Sequence, residues 1–122
     1  MIPSILNSVK KNLGIAEDYD VYDNDILLFI NGVFSTLNQL GVGPDEGFLV
    51  EDDSAEWDDF LGGDPRKNHV RTYMFLKVKF MFDPPPTSYA QEAVKELIRE
   101  HEVRISIQRE DAEWTDPTVL VP

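Results

Sequence analysis

Asp23-Asn-Asp-Ile-Leu-Leu-Phe-Ile-Asn-Gly-Val-Phe-Ser-Thr-Leu-Asn-Gln-Leu40, followed at once by Gly41-Val42-Gly43-Pro44, is the stretch that decides the fold. Ile26, Ile30, Val33, Leu37 and Leu40 recur at three- and four-residue spacing, and Leu27 and Phe34 widen the same face. That period belongs to an α-helix with one side buried. Asp23 reads as the N-cap and Asp25 as a first-turn acid, well placed against the positive end of the helix dipole. Gly41 ends the helix, and Val42-Gly43-Pro44 keeps it from continuing. At 1.5 Å per residue this element is about 27 Å long, which is long for so small a chain.

Upstream, Pro3 to Leu13 places Ile5, Leu6, Val9 and Leu13 at helical spacing, with Gly14 as the stop and Lys10 and Lys11 in the last turn, where cations suit the dipole. Downstream, residues 42–63 form a long irregular segment rich in acid: Asp45, Glu46, Glu51, Asp52, Asp53, Glu56, Asp58 and Asp59. A short helical turn near Ser54 to Leu61 would put Trp57, Phe60 and Leu61 on one side and so anchor the loop. Insertions of this size in a compact domain are often functional. Asp64-Pro65 then reads as an N-cap followed by a first-position proline, opening a helix from Pro65 to about Phe82.

This second long helix is apolar nearly all round. Val70, Tyr73, Met74, Phe75, Leu76, Val78, Phe80, Met81 and Phe82 are interrupted by charge only at Arg71, Lys77 and Lys79. It needs cover on most sides, from its own domain or from neighbouring subunits; Tyr73, Leu76, Phe80 and Phe82 are the residues expected at subunit contacts. Asp83-Pro84-Pro85-Pro86 ends it and sets a rigid corner. Ser88-x-x-Gln91 resembles a capping box for the last helix, whose buried stripe reads Ala90, Val94, Leu97, Ile98, His101 and Ile105. Glu92 with Lys95, or Glu96 with Arg99, can pair on its outer faces. Val103, Ile105 and Ile107 also alternate as a strand would, which leaves the end of this helix open. Beyond Arg109 the sequence looks extended and carries Trp114, Val119, Leu120 and Val121. The expected architecture is therefore all-α: a small bundle of about four helices over residues 1–109, with a long acidic loop and an extended C-terminal tail, residues 110–122.

The 122 residues carry 11 Lys and Arg against 23 Asp and Glu, a net charge of −12. Residues 1–61 hold two cations and thirteen acids, whereas residues 62–122 hold nine and ten, so the excess acid is confined to Glu17–Asp25 and Asp45–Asp59. Such a balance argues against a surface that grips nucleic acid, because affinity for phosphate backbones comes from clustered Lys and Arg. With no cysteine, disulfide scaffolds and thiolate metal sites are excluded. The longest uncharged apolar run, Ile26 to Leu37, is broken by Asn31 and Gly32 and is far short of a membrane span. Lys10 and Lys11 follow the first apolar residues instead of preceding them, unlike a signal peptide.

Chemistry-bearing motifs are few. His69 reads as a surface residue and His101 as a packed, interhelical one; His101-Glu102 does not open a zinc HExxH site. The carboxylate pairs Asp52-Asp53 and Asp58-Asp59 do not follow the spacing of an EF-hand, although a weak divalent-cation site is an alternative reading. General acid–base work needs two carboxylates in differing, partly buried environments, and this run is saturated with charge. Neither Gly41-Val42-Gly43-Pro44 nor Gly62-Gly63 has the Lys and Ser/Thr of a phosphate loop. Neither an enzyme nor a cofactor is expected. An apolar helix, a tail with Trp and aliphatic anchors, and an acidic loop suit a subunit that packs on copies of itself.

Taken in order, these elements resemble one family. The short helix ending in Leu13-Gly14-Ile15, the run into Gln39-Leu40-Gly41-Val42-Gly43-Pro44, Trp57-x-x-Phe60-Leu61, Tyr73-x-x-Leu76-Lys77-Val78 with Phe82-Asp83-Pro84-Pro85, and the long last helix are similar to the small head–tail connector (adaptor) proteins of long-tailed bacteriophages. The likeness covers roughly residues 4–109 and rests on order and spacing more than on any one motif. It implies a helical protomer, assembled in the host cytoplasm into a ring, usually twelve-fold, in the virion neck. That ring sits under the portal protein of the filled capsid, joins it to a stopper or tail component, and extends the channel by which genomic DNA leaves. On this reading the acids repel DNA from the channel wall, and Trp114 and Val119 to Val121 dock on the portal or an adjacent subunit. Two other classes fit the composition: an acidic DNA mimic, and a regulatory helical bundle that binds another protein.

Overall fold

The computed structural model describes residues 4–44, 46–62 and 66–113. Five helices follow one another: α1 (Ile5–Leu13), α2 (Asp23–Gln39), α3 (Trp57–Leu61), α4 (Lys67–Phe82) and α5 (Ser88–Glu113), with no strand among the described residues. The all-α class holds. The fifth helix is the short turn expected around Trp57.

α4 is the hub, packing on α1, α2 and α5, while α1 also meets α2. Its Val70, Tyr73, Met74 and Val78 are fully buried, against Ile5, Leu6 and Val9 of α1, Ile26, Ile30, Val33, Phe34 and Leu37 of α2, and Ile98 and Ile105 of α5 in one contiguous core. The all-round apolar helix is therefore covered largely within its own chain. Each fully buried aliphatic side chain contributes about 1.5–3 kcal/mol, so this core is the main source of stability.

Helix ends follow local chemistry. Ser4 caps α1 by accepting a hydrogen bond from the Asn7 amide at 3.2 Å, so the helix starts after Pro3, at Ile5. Its end is as expected: left-handed Gly14 donates to Lys11 and Ile15 donates to Lys10, the paired bonds of a Schellman motif. α2 closes the same way, with Gly41 (φ 82°) donating to Asn38 and Val42 to Leu37. Asp23 is not the N-cap of α2. That position falls to Tyr22, and Asp23 is the first helical residue, its carboxylate 2.8 Å from the Lys10 ammonium.

The second half departs from expectation at several points. Asp64 and Pro65 lie outside the described residues, and α4 begins at Lys67. The cap of α5 is Thr87, whose hydroxyl accepts from the Ala90 amide at 3.1 Å, and Gln91 reaches back to the Pro85 carbonyl at 2.9 Å. The helix then runs to Glu113, so residues 110–113 are helical and not extended, and the strand alternative at Val103–Ile107 fails. No Gly or Pro interrupts the chain between Ser88 and Glu113, and nothing local stops propagation. Leu97, placed on the buried stripe, is 47% exposed, whereas Ile105 is completely buried. The anticipated pairs Glu92–Lys95 and Glu96–Arg99 both form, joined by Glu100–Arg104.

Candidate functional site

The acidic segment between α2 and α4 is held by alternate residues that turn inward. Val42 and Val50 are buried, and Phe48 packs edge-on against Phe34 and Phe60, with ring centroids 5.2 and 5.1 Å away. Gly43 is required here: its φ is 85°, and a Cβ on it would lie 2.4 Å from the Phe60 ring. Asn31, the polar residue inside the apolar face of α2, grips Val50 at both ends of one peptide position. Its amide donates to the Val50 carbonyl at 2.9 Å and its oxygen accepts from the Val50 amide at 2.8 Å.

The far end of the loop is tied to α1. Ile5 donates to the Ala55 carbonyl at 3.0 Å, the Ser4 hydroxyl to Asp53 at 2.8 Å, and Ser4 and Glu56 form a single antiparallel bridge. Trp57, Phe60 and Leu61 of α3 are all buried, as the short turn required. The Trp57 indole donates to Ser8 at 2.8 Å, its face carries the Arg71 guanidinium at 5.3 Å, and Phe75 meets it edge-on.

With the apolar residues inside, the acids face out. Glu46, Glu51, Asp52, Asp53, Glu56, Asp58 and Asp59 are exposed, while Asp45 lies outside the described residues. Asp52 accepts from the hydroxyl and amide of Ser54, which hold its carboxyl below its ordinary value. Asp59 accepts from the Glu56 amide and closes the first turn of α3. Among the described residues no group of three or more His, Asp or Glu is arranged to hold a metal ion.

The second distinctive surface is the corner after α4. Leu76 and Phe80 of α4, Pro84–Pro86 and Val94 of α5 enclose a groove of about 450 Å³, with Lys79 and Asp83 on its rim. Beside it, Phe82 stacks edge-on with Tyr22, which in turn meets Tyr19, and Met81 is 41% exposed. Of the four residues expected at subunit contacts, Leu76, Phe80 and Phe82 keep partial exposure. Tyr73 does not: it is wholly buried inside the protomer, because helical spacing puts it on the α4 face that α1, α2 and α5 cover. Trp114, Val119, Leu120 and Val121 lie outside the described residues.

His69 and His101 come together across α4 and α5, their ring centroids 5.7 Å apart. His101 is interhelical as expected; His69 is its partner and not an isolated surface residue. Burial, then the neighbouring His69 and Arg104, push His101 below its ordinary pKa, with Glu100 opposing. The sequence also concealed Lys10. It is 1% exposed, bonded to the Glu17 carbonyl at 2.8 Å as well as to Asp23, and it locks the α1–α2 connection.

A helical core flanked by an exposed acidic loop and a partly exposed apolar corner is the make-up of an assembly component. The chain matches the model of the phage connector protein family over residues 5–112, nearly its whole length, and belongs to that family. It is accordingly a structural protein of the phage head–tail connection and a component of the virion. No curated protein and no solved structure matches it. No helix among the described residues is long and apolar enough to cross a membrane.

Proposed function

We propose that this connector is the adaptor that closes into a twelve-fold ring beneath the portal, joins the DNA-filled capsid to the stopper or tail, and lengthens the DNA exit channel. The observation that carries the reading is the partly exposed apolar corner at Leu76, Phe80, Phe82 and Pro84–Pro86, beside a closed helical core. A surface of this kind marks a contact between proteins, and repetition of one such contact around an axis makes a ring. The acids of residues 46–59 then contribute a strongly negative surface, along which genomic DNA passes without specific binding. The helical domain supplies the body of the ring, and the C-terminal tail docks on the portal or on an adjacent subunit.

Mass measurement with purified portal protein tests this. The expected result is a complex whose added mass corresponds to a closed ring of this chain. A protein that stays single in the presence of portals, and does not bind filled heads, overturns it. Removal of residues 114–122 is expected to leave a folded protomer that no longer attaches to filled heads.

A further inference from the structure

The groove at the α4–α5 corner has walls of Leu76, Phe80, Pro84–Pro86 and Val94, and its lining is mostly apolar. The chain beyond α5 offers a matching segment, Pro117-Thr-Val-Leu-Val-Pro122, which carries no charged side chain. Its two prolines carry no amide N–H, and Val119, Leu120 and Val121 between them present only aliphatic side chains to an apolar seat.

Length decides which copy supplies it. Val94 lies nineteen residues before Glu113, a distance of about 28 Å along α5. Val119 and Val121 lie six and eight residues past Glu113 and reach about 20–27 Å when fully extended. To enter its own groove the tail would also have to reverse direction at the end of α5, which consumes part of that reach. The segment is too short for its own protomer and long enough for one whose groove lies near the end of α5.

We infer that Val119, Leu120 and Val121 of one protomer seat in the Leu76–Phe80–Val94 groove of a second copy, so that each subunit holds the next by its tail. The inference rests on the ring reading above and names the contact that links its members. It is heterologous, joining two different surfaces of the same chain, as ring closure requires.

The chain contains no cysteine, so introduced thiols report on one pair only. The full-length Val94→Cys/Leu120→Cys variant, assembled on portal protein and oxidised, is expected to give a ladder of covalent multimers. Mixed single variants are expected to give dimers and nothing larger. Particles of full ring mass without a ladder overturn the tail exchange and leave the ring reading standing. A product cross-linked at single-chain mass also overturns it. Failure of the wild-type chain to reach ring mass overturns both. Leu120→Asp/Val121→Asp tests the contact without touching the described core. It is expected to lower the assembled fraction at least about tenfold with thermal unfolding unchanged, since charged groups do not enter an apolar seat unpaired. Assembly equal to wild type counts against the proposal.

Discussion

At Tyr73 the ring fills the centre of the buried face of α4, yet its hydroxyl has no hydrogen-bond partner among the described residues. Burial, and then the charge of Glu102, push its ionisation well above the ordinary range, so the phenol stays neutral. An unpaired buried hydroxyl costs about 1–3 kcal/mol, and Tyr73→Phe should therefore leave stability unchanged or raise it in chemical denaturation. A loss of more than about 1 kcal/mol would reveal a partner for the hydroxyl. His101 behaves differently. Its native pKa is depressed, so below its ordinary 6.5 the unfolded chain takes up the proton more readily than the native one. Stability from this site is complete above that value and is lost as pH falls through the window beneath it. Between about pH 7 and pH 5 the melting temperature of the wild type should fall further than that of His101→Gln, and parallel curves would remove the histidine pair as the cause. Single residues of this kind were partly legible. His101 was placed between helices because its spacing follows the buried stripe of α5. Lys10 was read from its last-turn position alone, since nothing local announces that Asp23, thirteen residues on, will meet it.

Among the elements, the loop from Val42 to Glu56 departs most from what its composition suggests. Its acids read as a solvated run, and they are exposed, but the backbone beneath is fastened by Asn31, Ser4 and the Phe34–Phe48–Phe60 cluster. Gly43 is where this packing is tightest. A side chain there meets both a positive φ and the Phe60 ring, so Gly43→Ala should destabilise by about 2–3 kcal/mol, beyond the usual effect of losing glycine entropy. A change below about 0.5 kcal/mol would mean that the loop yields without cost. At α5, as at α2, sequence patterning puts the cap a residue late, at Ser88 where the Thr87 hydroxyl caps the helix. Thr87→Ala should cost about 1 kcal/mol, whereas Ser88→Ala should cost less than half of that, and the reverse order would restore Ser88 as the cap. α2 was legible from its period and Gly41 because both signals are local. The extent of α5 was not, since a polar-rich helix with weak patterning and no breaker looks the same as a frayed one. The groove was half visible: Leu76 and Phe80 were marked as contact residues, but their pairing with Pro84–Pro86 and Val94 depends on how α5 returns along α4.

At the scale of the whole molecule the consequence is electrostatic. Much of the excess acid lies on the surface of one loop, and a loop repeated around a ring concentrates charge in a way that a single protomer cannot. Glu46→Gln, Glu51→Gln, Asp53→Asn and Asp58→Asn together would take the net charge from −12 to −8. All four side chains are exposed, so the protomer should unfold within about 1 kcal/mol of the wild type. If the loops border the DNA path, the effect belongs to the assembly alone: DNA should leave variant particles more slowly, because weaker repulsion lets the duplex dwell at the wall. The sign follows from like charge on like charge, and the range follows from screening. The Debye length shrinks from about 10 Å at 0.1 M salt to about 3 Å at 1 M. The difference between variant and wild type should therefore be largest at low ionic strength and fade as salt is added. DNA release timed across a salt series checks this directly. Equal rates at every salt concentration, in particles shown to contain the variant ring, would place the acids away from the channel and turn them toward the neighbouring neck component.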